Sequence, residues 1–227
     1  EVNTTGTLNA AFGQGTLNSN TTGSYNSAFG ANCLDANTTA SYNSAFGFHA
    51  LGSNTTGTAN VAVGYAALDT NTTGNYNTAV GYEAMDNNST GADNTAMGYK
   101  ALEANTTANL NTAIGYGSMQ LNTTGNYNIA IGYDSLQQNT TGAGNIAVGH
   151  DAGKLSTTAN NNTSIGYNSN SGRTAGNDNT SVGAYCMNAT ATGSNNTGVG
   201  KSALHDLTTG TNNVAMGLNA GFAITTG

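Results

Sequence analysis

The sequence predicts an all-β protein, a parallel β-solenoid, from its repeat and its composition. An Asn followed four residues later by a Gly recurs every 17 residues in 13 copies, without insertion or deletion. Such a fixed period is typical of a solenoid in which each repeat forms one rung. It argues against the disorder that a Gly-, Asn- and Thr-rich chain with only 7% charged residues would otherwise suggest. We therefore predict one solenoid domain over residues 1–227, with 13 rungs and both ends uncapped.

The rungs are predicted to be extended rather than helical. The first segment of each repeat is rich in β-branched residues, as in Asn128-Ile129-Ala130-Ile131-Gly132, which favours a strand. A second short segment, x-x-A-L, comes before a polar N-T-T-G loop. Neither segment has the length of a stable helix. We therefore expect two short strands in every rung.

Two columns of large apolar residues run through the repeats. The first column stands directly before each Gly, and the second is mostly Leu but contains Gly153, Asn170 and Gly221. One column must line the interior of the coil, and the other lines it too or faces a partner chain. The first column is Phe12, Phe29, Phe46, Val63, Val80, Met97, Ile114, Ile131, Val148, Ile165, Val182, Val199 and Met216.

The invariant Asn and Gly columns are candidates for a structural role, because stacked identical groups can satisfy one another between rungs. The representatives are Asn9, Asn60, Asn77, Asn128, Gly64, Gly81 and Gly132. Cys33 and Cys186 occupy one small-residue column nine repeats apart, too far to form a disulfide within one solenoid chain. We expect each to be a buried small residue, with pairing between chains as the alternative.

The motif N-x-[small]-[VIM]-G-x-x-[AS] resembles the head repeats of trimeric autotransporter adhesins, the haemagglutinin-like repeat family of bacterial surface proteins. Matching stretches begin at Asn77, Asn128 and Asn145, and the resemblance covers essentially the whole chain. It implies a left-handed parallel β-roll with two strands per coil, three chains packed side by side, and display on a cell surface for adhesion. Similar repeats occur in phage tail fibres. Each repeat here is longer than the usual repeat of the family, and the extra residues lie in the N-T-T-G loop.

We therefore expect an extracellular or cell-surface protein, a structural and adhesive fibre or a surface adhesin head, with no enzymatic activity and no cofactor. Its expected partners are copies of itself, as a homotrimer or an end-to-end filament, and possible glycans or a host-surface receptor. The alternatives are an ice-binding solenoid and the shaft of a virion tail fibre.

The N-T-T-G loop repeats the N-x-[ST] acceptor of N-glycosylation along one edge of the coil. The candidate asparagines are Asn3, Asn20, Asn37, Asn54, Asn71, Asn88, Asn105, Asn122 and Asn139. The alternative is that Asn and Thr stabilise the turn through bonds between side chains and backbone. In the later repeats the position holds Ser156, Arg173, Thr190, Leu207 and Ile224. O-glycosylation of the Thr residues is a related possibility.

An aromatic column follows the Gly column and is expected to stack into a ladder, because its rings are spaced by one rung. Its role is either structural or the binding of a carbohydrate or another partner. The candidate residues are Tyr65, Tyr82, Tyr99, Tyr116, Tyr133 and Tyr167, with Phe48 and His150 in the same column.

The remaining candidate sites are weak. Adjacent Thr residues point opposite ways in an extended segment, which disfavours the double Thr rank of an ice-binding face. Asp69, Asp86 and Glu103 form one acidic column, but Ca²⁺ needs oxygens around it rather than in a row. No catalytic constellation is apparent among the three His and 11 carboxylates. A net charge of −7 disfavours nucleic-acid binding, and no membrane span is apparent in this chain.

Overall fold

The computed structural model describes residues 3–172 and 174–226, and it confirms an all-β parallel β-solenoid. In these residues there are 13 strands, each three residues long and one in each repeat. The chain divides into two compact units, Glu1–Asn111 and Thr112–Gly227, and each is described by itself. A single domain over the whole chain stays a prediction.

The first unit contains six strands, and each pairs in parallel with the next along the chain. The register joins each residue to its equivalent one repeat later, as in Val61 with Thr78 and Val63 with Val80. The strands are β1 (Ala10–Phe12), β2 (Ser27–Phe29), β3 (Ser44–Phe46), β4 (Val61–Val63), β5 (Thr78–Val80) and β6 (Thr95–Met97).

The second unit has seven strands with the same parallel pairing and the same register of one repeat. The strands are β7 (Thr112–Ile114), β8 (Ile129–Ile131), β9 (Ile146–Val148), β10 (Thr163–Ile165), β11 (Thr180–Val182), β12 (Thr197–Val199) and β13 (Val214–Met216).

The prediction of two strands per rung is wrong, because the x-x-A-L segment forms a turn. In one rung Glu83 has φ 50° and Met85 has φ 54°, with Ala84 buried between them. Two left-handed residues separated by one position cannot continue an extended strand. The turn still bonds to the next rung, since the N–H of Met85 donates to the carbonyl of Ala101 at 2.9 Å.

The Leu column lines the interior of the coil, together with the Ala in the middle of the strands. Leu34, Leu51 and Leu68 are completely buried, and so are Ala45 and Ala62. The apolar column before the Gly instead lies on the outside. The sequence could not assign these two columns because both are large and apolar.

The three exceptions in the Leu column suit the backbone of the turn. Gly153, Asn170 and Gly221 have φ values of 59°, 55° and 63°. Gly and Asn are the residues that enter this left-handed region most easily. The Leu and Met residues of the column adopt the same φ at a cost in strain, which their burial offsets.

The Gly column is required by a close approach between rungs. Gly64, Gly81 and Gly132 have φ between 133° and 139°. A Cβ on Gly81 would lie 2.3 Å from the carbonyl oxygen of Gly98 in the next rung. No side chain fits there, which together with the positive φ of the whole column explains why the column has no exception.

The two cysteines are free and buried, as expected for small core residues. Burial raises the pKa of the Cys33 thiol to about 11, and it also raises the pKa of Cys186. Both thiols are therefore held in the unreactive protonated form.

Candidate functional site

The first and third residues of each strand point outward and form an exposed surface, here called the strand face. The middle residue points inward, so that Val61 and Val63 are each 37% exposed while Ala62 is buried. Alternation of this kind is the normal consequence of an extended backbone. No charged residue occupies either outward position in any repeat. Each unit therefore presents one uncharged surface.

The strand face of the second unit is nearly uniform. Its outward residues are all β-branched except Met216. They are Thr112, Ile114, Ile129, Ile131, Ile146, Val148, Thr163, Ile165, Thr180, Val182, Thr197, Val199, Val214 and Met216. The strand face of the first unit is more varied, and Phe29 stacks on Phe46 with ring centroids 5.2 Å apart.

The predicted aromatic ladder is present in both units, and we keep that name for the column from Phe48 to Tyr167. In the first unit, the ring of Tyr82 stacks on Tyr65 at 5.0 Å and on Tyr99 at 5.4 Å. In the second unit, Tyr133 stacks on Tyr116 at 5.0 Å and on His150 at 4.9 Å. Tyr167 ends the column, tilted by 31° against His150, and it also contacts the ring of Tyr185 edge to face at 5.3 Å.

The stacking determines which parts of the ladder side chains are exposed to solvent. Tyr65, Tyr82 and Tyr133 are nearly half exposed, yet their ring planes lie within 7–16° of those of their neighbours. The exposed parts are thus ring edges and phenol hydroxyls. A sugar that packs on an aromatic ring needs an open ring face, so this geometry favours the structural interpretation of the ladder.

The asparagines of the N-T-T-G loop form a buried row, here called the asparagine ladder. Asn20, Asn37, Asn54, Asn71 and Asn88 point into the coil and are at most 1% exposed. In each rung the side-chain amide donates to the carbonyl three residues later and to the side-chain oxygen of the preceding rung. The Nδ2 of Asn71, for example, lies 3.0 Å from the carbonyl oxygen of Gly74 and 2.9 Å from Oδ1 of Asn54.

This geometry bears on the candidate glycosylation sites. An N-linked sugar would replace a hydrogen on the Nδ2 atom that these buried residues use inside the coil. Asn105, Asn122 and Asn139 are buried in the same way, whereas Asn3 is exposed. The fold therefore favours the turn-stabilising interpretation, and attachment of sugar stays a prediction that an intact mass would check. Arg173, at the same position in a later repeat, lies outside the described residues.

The two adjacent Thr of the loop differ in role. The hydroxyl of Thr55 donates to the carbonyl of Thr72 in the next rung at 2.9 Å, and Thr72 donates to Ser89 at 3.0 Å. The second Thr of each pair, such as Thr56 or Thr73, is exposed. The opposite orientation expected from the sequence is thus confirmed.

The invariant Asn column at the start of each strand has the structural role that the sequence suggested. The backbone N–H of Asn77 donates to Oδ1 of Asn60 at 2.9 Å. Its side-chain amide donates to the carbonyl of Gly91 at 2.8 Å. Asn60 makes the equivalent bonds, and Asn9 and Asn128 donate their amides in the same way.

Acidic residues of the first unit meet around one lysine, and we call this group the acidic cluster. Lys100 lies 2.9 Å from Glu83 and 2.7 Å from Glu103. Burial, and then the charges of Asp69, Glu83 and Glu103, raise the pKa of Asp86 to about 6. Burial also raises the pKa of Asp69, which lies 3.7 Å from His49. Over residues 3–172 and 174–226, no group of three or more His, Cys, Asp or Glu could hold a metal ion.

Comparisons with known proteins give no match, whether to a protein family model, a curated protein or a solved structure. None of the described residues forms a helix with the length and apolarity that a membrane crossing requires.

Proposed function

We propose that the chain is a non-enzymatic structural module of an extracellular adhesive fibre or surface adhesin head, in which several copies associate through the strand face. The observation that carries this proposal is the uncharged strand face itself, whose outward residues are exposed or half-buried in the repeats from β2 to β12. Its third-position residues form an apolar column flanked by uncharged side chains, and a large exposed apolar surface commonly marks an interaction site. The same repeats in a virion tail fibre would serve as a shaft in the same way.

The periodicity of the strand face supports a second copy as the partner. Its side chains recur at the spacing between strands, so its ridges and grooves have one fixed period. Another copy carries the same period and the same uncharged residues, and two such faces can interdigitate along their length. An unrelated globular partner would match only a few positions.

The test is the oligomeric state of a variant that carries charge on this face. In the double variant Ile129→Lys and Ile131→Lys, two exposed apolar residues of one rung become cations that a packed interface would have to desolvate. We expect the wild-type chain to sediment as an oligomer. In the variant, the apparent Kd of the oligomer should be at least tenfold higher. Analytical ultracentrifugation over a range of concentrations measures both.

The matched control is Thr141→Lys, which adds one cation to the exposed Thr of the same repeat, away from the strand face. It should leave the oligomer unchanged, and circular dichroism should show that all variants are folded. A wild-type chain that is monomeric at high concentration would overturn the assembly proposal. Attachment of beads coated with the oligomer to glycan-coated surfaces tests adhesion separately.

Ice binding remains the second candidate, since the strand face presents two ranks of side chains on the same side of the coil, whereas the adjacent Thr residues of the N-T-T-G loop point opposite ways. Thr163 and Ile165 occupy alternate residues on one exposed face, and so do Thr180 and Val182 in the next rung. A monomeric chain that shows thermal hysteresis would support this alternative over the fibre.

A further inference from the structure

The aromatic ladder holds tyrosines in pairs whose rings stack face to face. Tyr65 and Tyr82 stack at 5.0 Å with 8° between their planes, and Tyr116 and Tyr133 stack at 5.0 Å with 7°. Outside the ladder, Tyr25 and Tyr42 form one further stacked pair, at 5.0 Å and 4°. All of these rings are at least 44% exposed.

From this geometry we propose that the stacked tyrosines are sites of oxidative cross-linking, in which neighbouring rungs become joined by dityrosine. The co-substrate class is a peroxide, used by a peroxidase or an equivalent one-electron oxidant. The proposal concerns pairs within one chain, and it holds whether or not copies associate.

The chemistry needs two phenols that are oxidised close together. The oxidant removes one electron and one proton from each phenol and leaves two phenoxyl radicals. A carbon–carbon bond then forms between ring carbons ortho to the two oxygens. The hydrogen on each of these carbons moves to its phenolic oxygen, which restores the aromatic rings. The pair loses two hydrogen atoms in total, and one hydrogen peroxide is reduced to two waters.

The fold supplies the encounter between the radicals. Sheet hydrogen bonds fix the backbones of successive rungs, so the two rings stay within reach without diffusion. Face-to-face rings must turn edge to edge before the bond forms, and their exposure gives them room to turn. The oxidant reaches the same exposed edges and hydroxyls.

Tyr82 has an additional feature that favours its oxidation. Interaction with the neighbouring carboxylate of Glu83 raises the pKa of Tyr82. Glu83 thus lies where it can accept the phenolic proton when the electron leaves. Tyr82 also stacks on both Tyr65 and Tyr99, so that it has two possible coupling partners.

The chain contains its own controls. Tyr76 and Tyr127 are each 64% exposed, more than any tyrosine of the ladder. One repeat before and after Tyr76 stand Ala59 and Asp93, and the corresponding positions for Tyr127 are Leu110 and Gly144. If exposure alone governed the reaction, these two tyrosines would react most.

The experiment treats the purified full chain with peroxidase and hydrogen peroxide at several protein concentrations. Dityrosine is followed by its fluorescence, by the loss of two hydrogen masses from the monomer, and by mapping of the cross-linked peptides. We expect links at Tyr65–Tyr82, Tyr82–Tyr99, Tyr116–Tyr133 and Tyr25–Tyr42. Their yield within the monomer should not depend on protein concentration, and denaturation in urea before oxidation should abolish the selectivity.

The variant Tyr82→Phe keeps a ring that can stack, as Phe48 does on Tyr65, but it removes the phenol. It should eliminate both of its links and leave the Tyr116–Tyr133 link unchanged, whereas Tyr76→Phe should change none. Cross-links that follow exposure, with Tyr76 and Tyr127 foremost, would overturn the proposal. So would an absence of dityrosine in a chain that circular dichroism shows to be folded.

Discussion

At the scale of single residues, the most consequential side chains are the buried asparagines. Asn71 donates to Asn54 and Gly74 and accepts from Asn88 at 2.8 Å. The change Asn71→Ala would leave the Oδ1 of Asn54 without this donor and would open a small cavity. Each unsatisfied buried polar group costs about 1–3 kcal/mol, so we expect a loss of about 2–4 kcal/mol. Urea unfolding of the variant measures it.

Asn87→Ala is the matched control, because Asn87 is exposed and belongs to the rung that follows. The free energy of unfolding should change by less than about 0.5 kcal/mol, as for most surface substitutions. Equal losses for the two variants would show that the asparagine ladder does not stabilise the fold.

The raised pKa of Asp86 predicts how the stability of the fold depends on pH. Burial and neighbouring charges raise this pKa to about 6 in the folded chain, from the ordinary value of 3.8 that an Asp has in an unfolded chain. The folded state therefore binds the proton more tightly, and the ionised carboxylate destabilises the fold above pH 6. This penalty declines as the pH falls and is gone below the unfolded pKa. Asp86→Asn should raise Tm at pH 8, and the gain should shrink toward pH 4.

Differential scanning calorimetry at both pH values tests this prediction. Asp93→Asn removes the same charge from an exposed position outside the acidic cluster and should change Tm little at either pH. The prediction fails if Asp86→Asn gives the same gain at pH 4 as at pH 8. Lys100 attracts the charge of Asp86 and limits the size of the effect.

At the scale of elements, replacement of the Gly that follows each strand can destabilise the fold in two ways, through backbone strain and through a collision with the next rung. Gly81→Ala meets both a φ of 139° and a collision with Gly98, whereas Gly217→Ala has a φ of 121° and nothing within 4 Å of its Cβ. We expect Gly81→Ala to unfold at much lower urea or to fail to fold. Gly217→Ala should lose about 1–3 kcal/mol from backbone strain alone. Equal losses would mean that the close approach contributes nothing.

The strands could be predicted from sequence, while the turns could not. Strands such as Ile129–Ile131 carry β-branched residues and end at Gly, which is a readable signal. The turns place Glu83 and Lys100 at φ values of 50° and 53°, a conformation for which their residue types give no hint. Gly and Asn at some turn positions pointed to it, such as Gly15, Asn32 and Gly117 in the column of Glu83, and Gly153, Asn170 and Gly221 in the Leu column. The repeated backbone dictates this conformation, whatever residue a given rung supplies.

At the scale of the whole molecule, the period predicted a solenoid, because a fixed phase leaves stacking as the only consistent arrangement, and the β-branched segments predicted that its rungs are extended. The candidate site was less predictable. Phe29 and Leu34 are both large and apolar, and only the structure shows that one faces solvent and the other the core. Likewise, the N-x-[ST] pattern of Asn54 indicates a surface acceptor, whereas its side chain is buried. The sequence identifies the columns, but the fold of the coil determines whether the side chains of a column point into the core or toward solvent.

The asparagine ladder also gives the first unit an electrical direction. The bonds between its side chains all run toward the lower residue number, from Asn105 to Asn88 and onward to Asn3. Amide dipoles aligned head to tail polarise one another, as peptide groups do along a helix axis. The ladder thus forms an internal line of aligned dipoles, and side-chain amides build this line where a helix would use backbone peptide groups. Its middle members should strengthen one another most, which ties the stability of each rung to rungs that it does not touch.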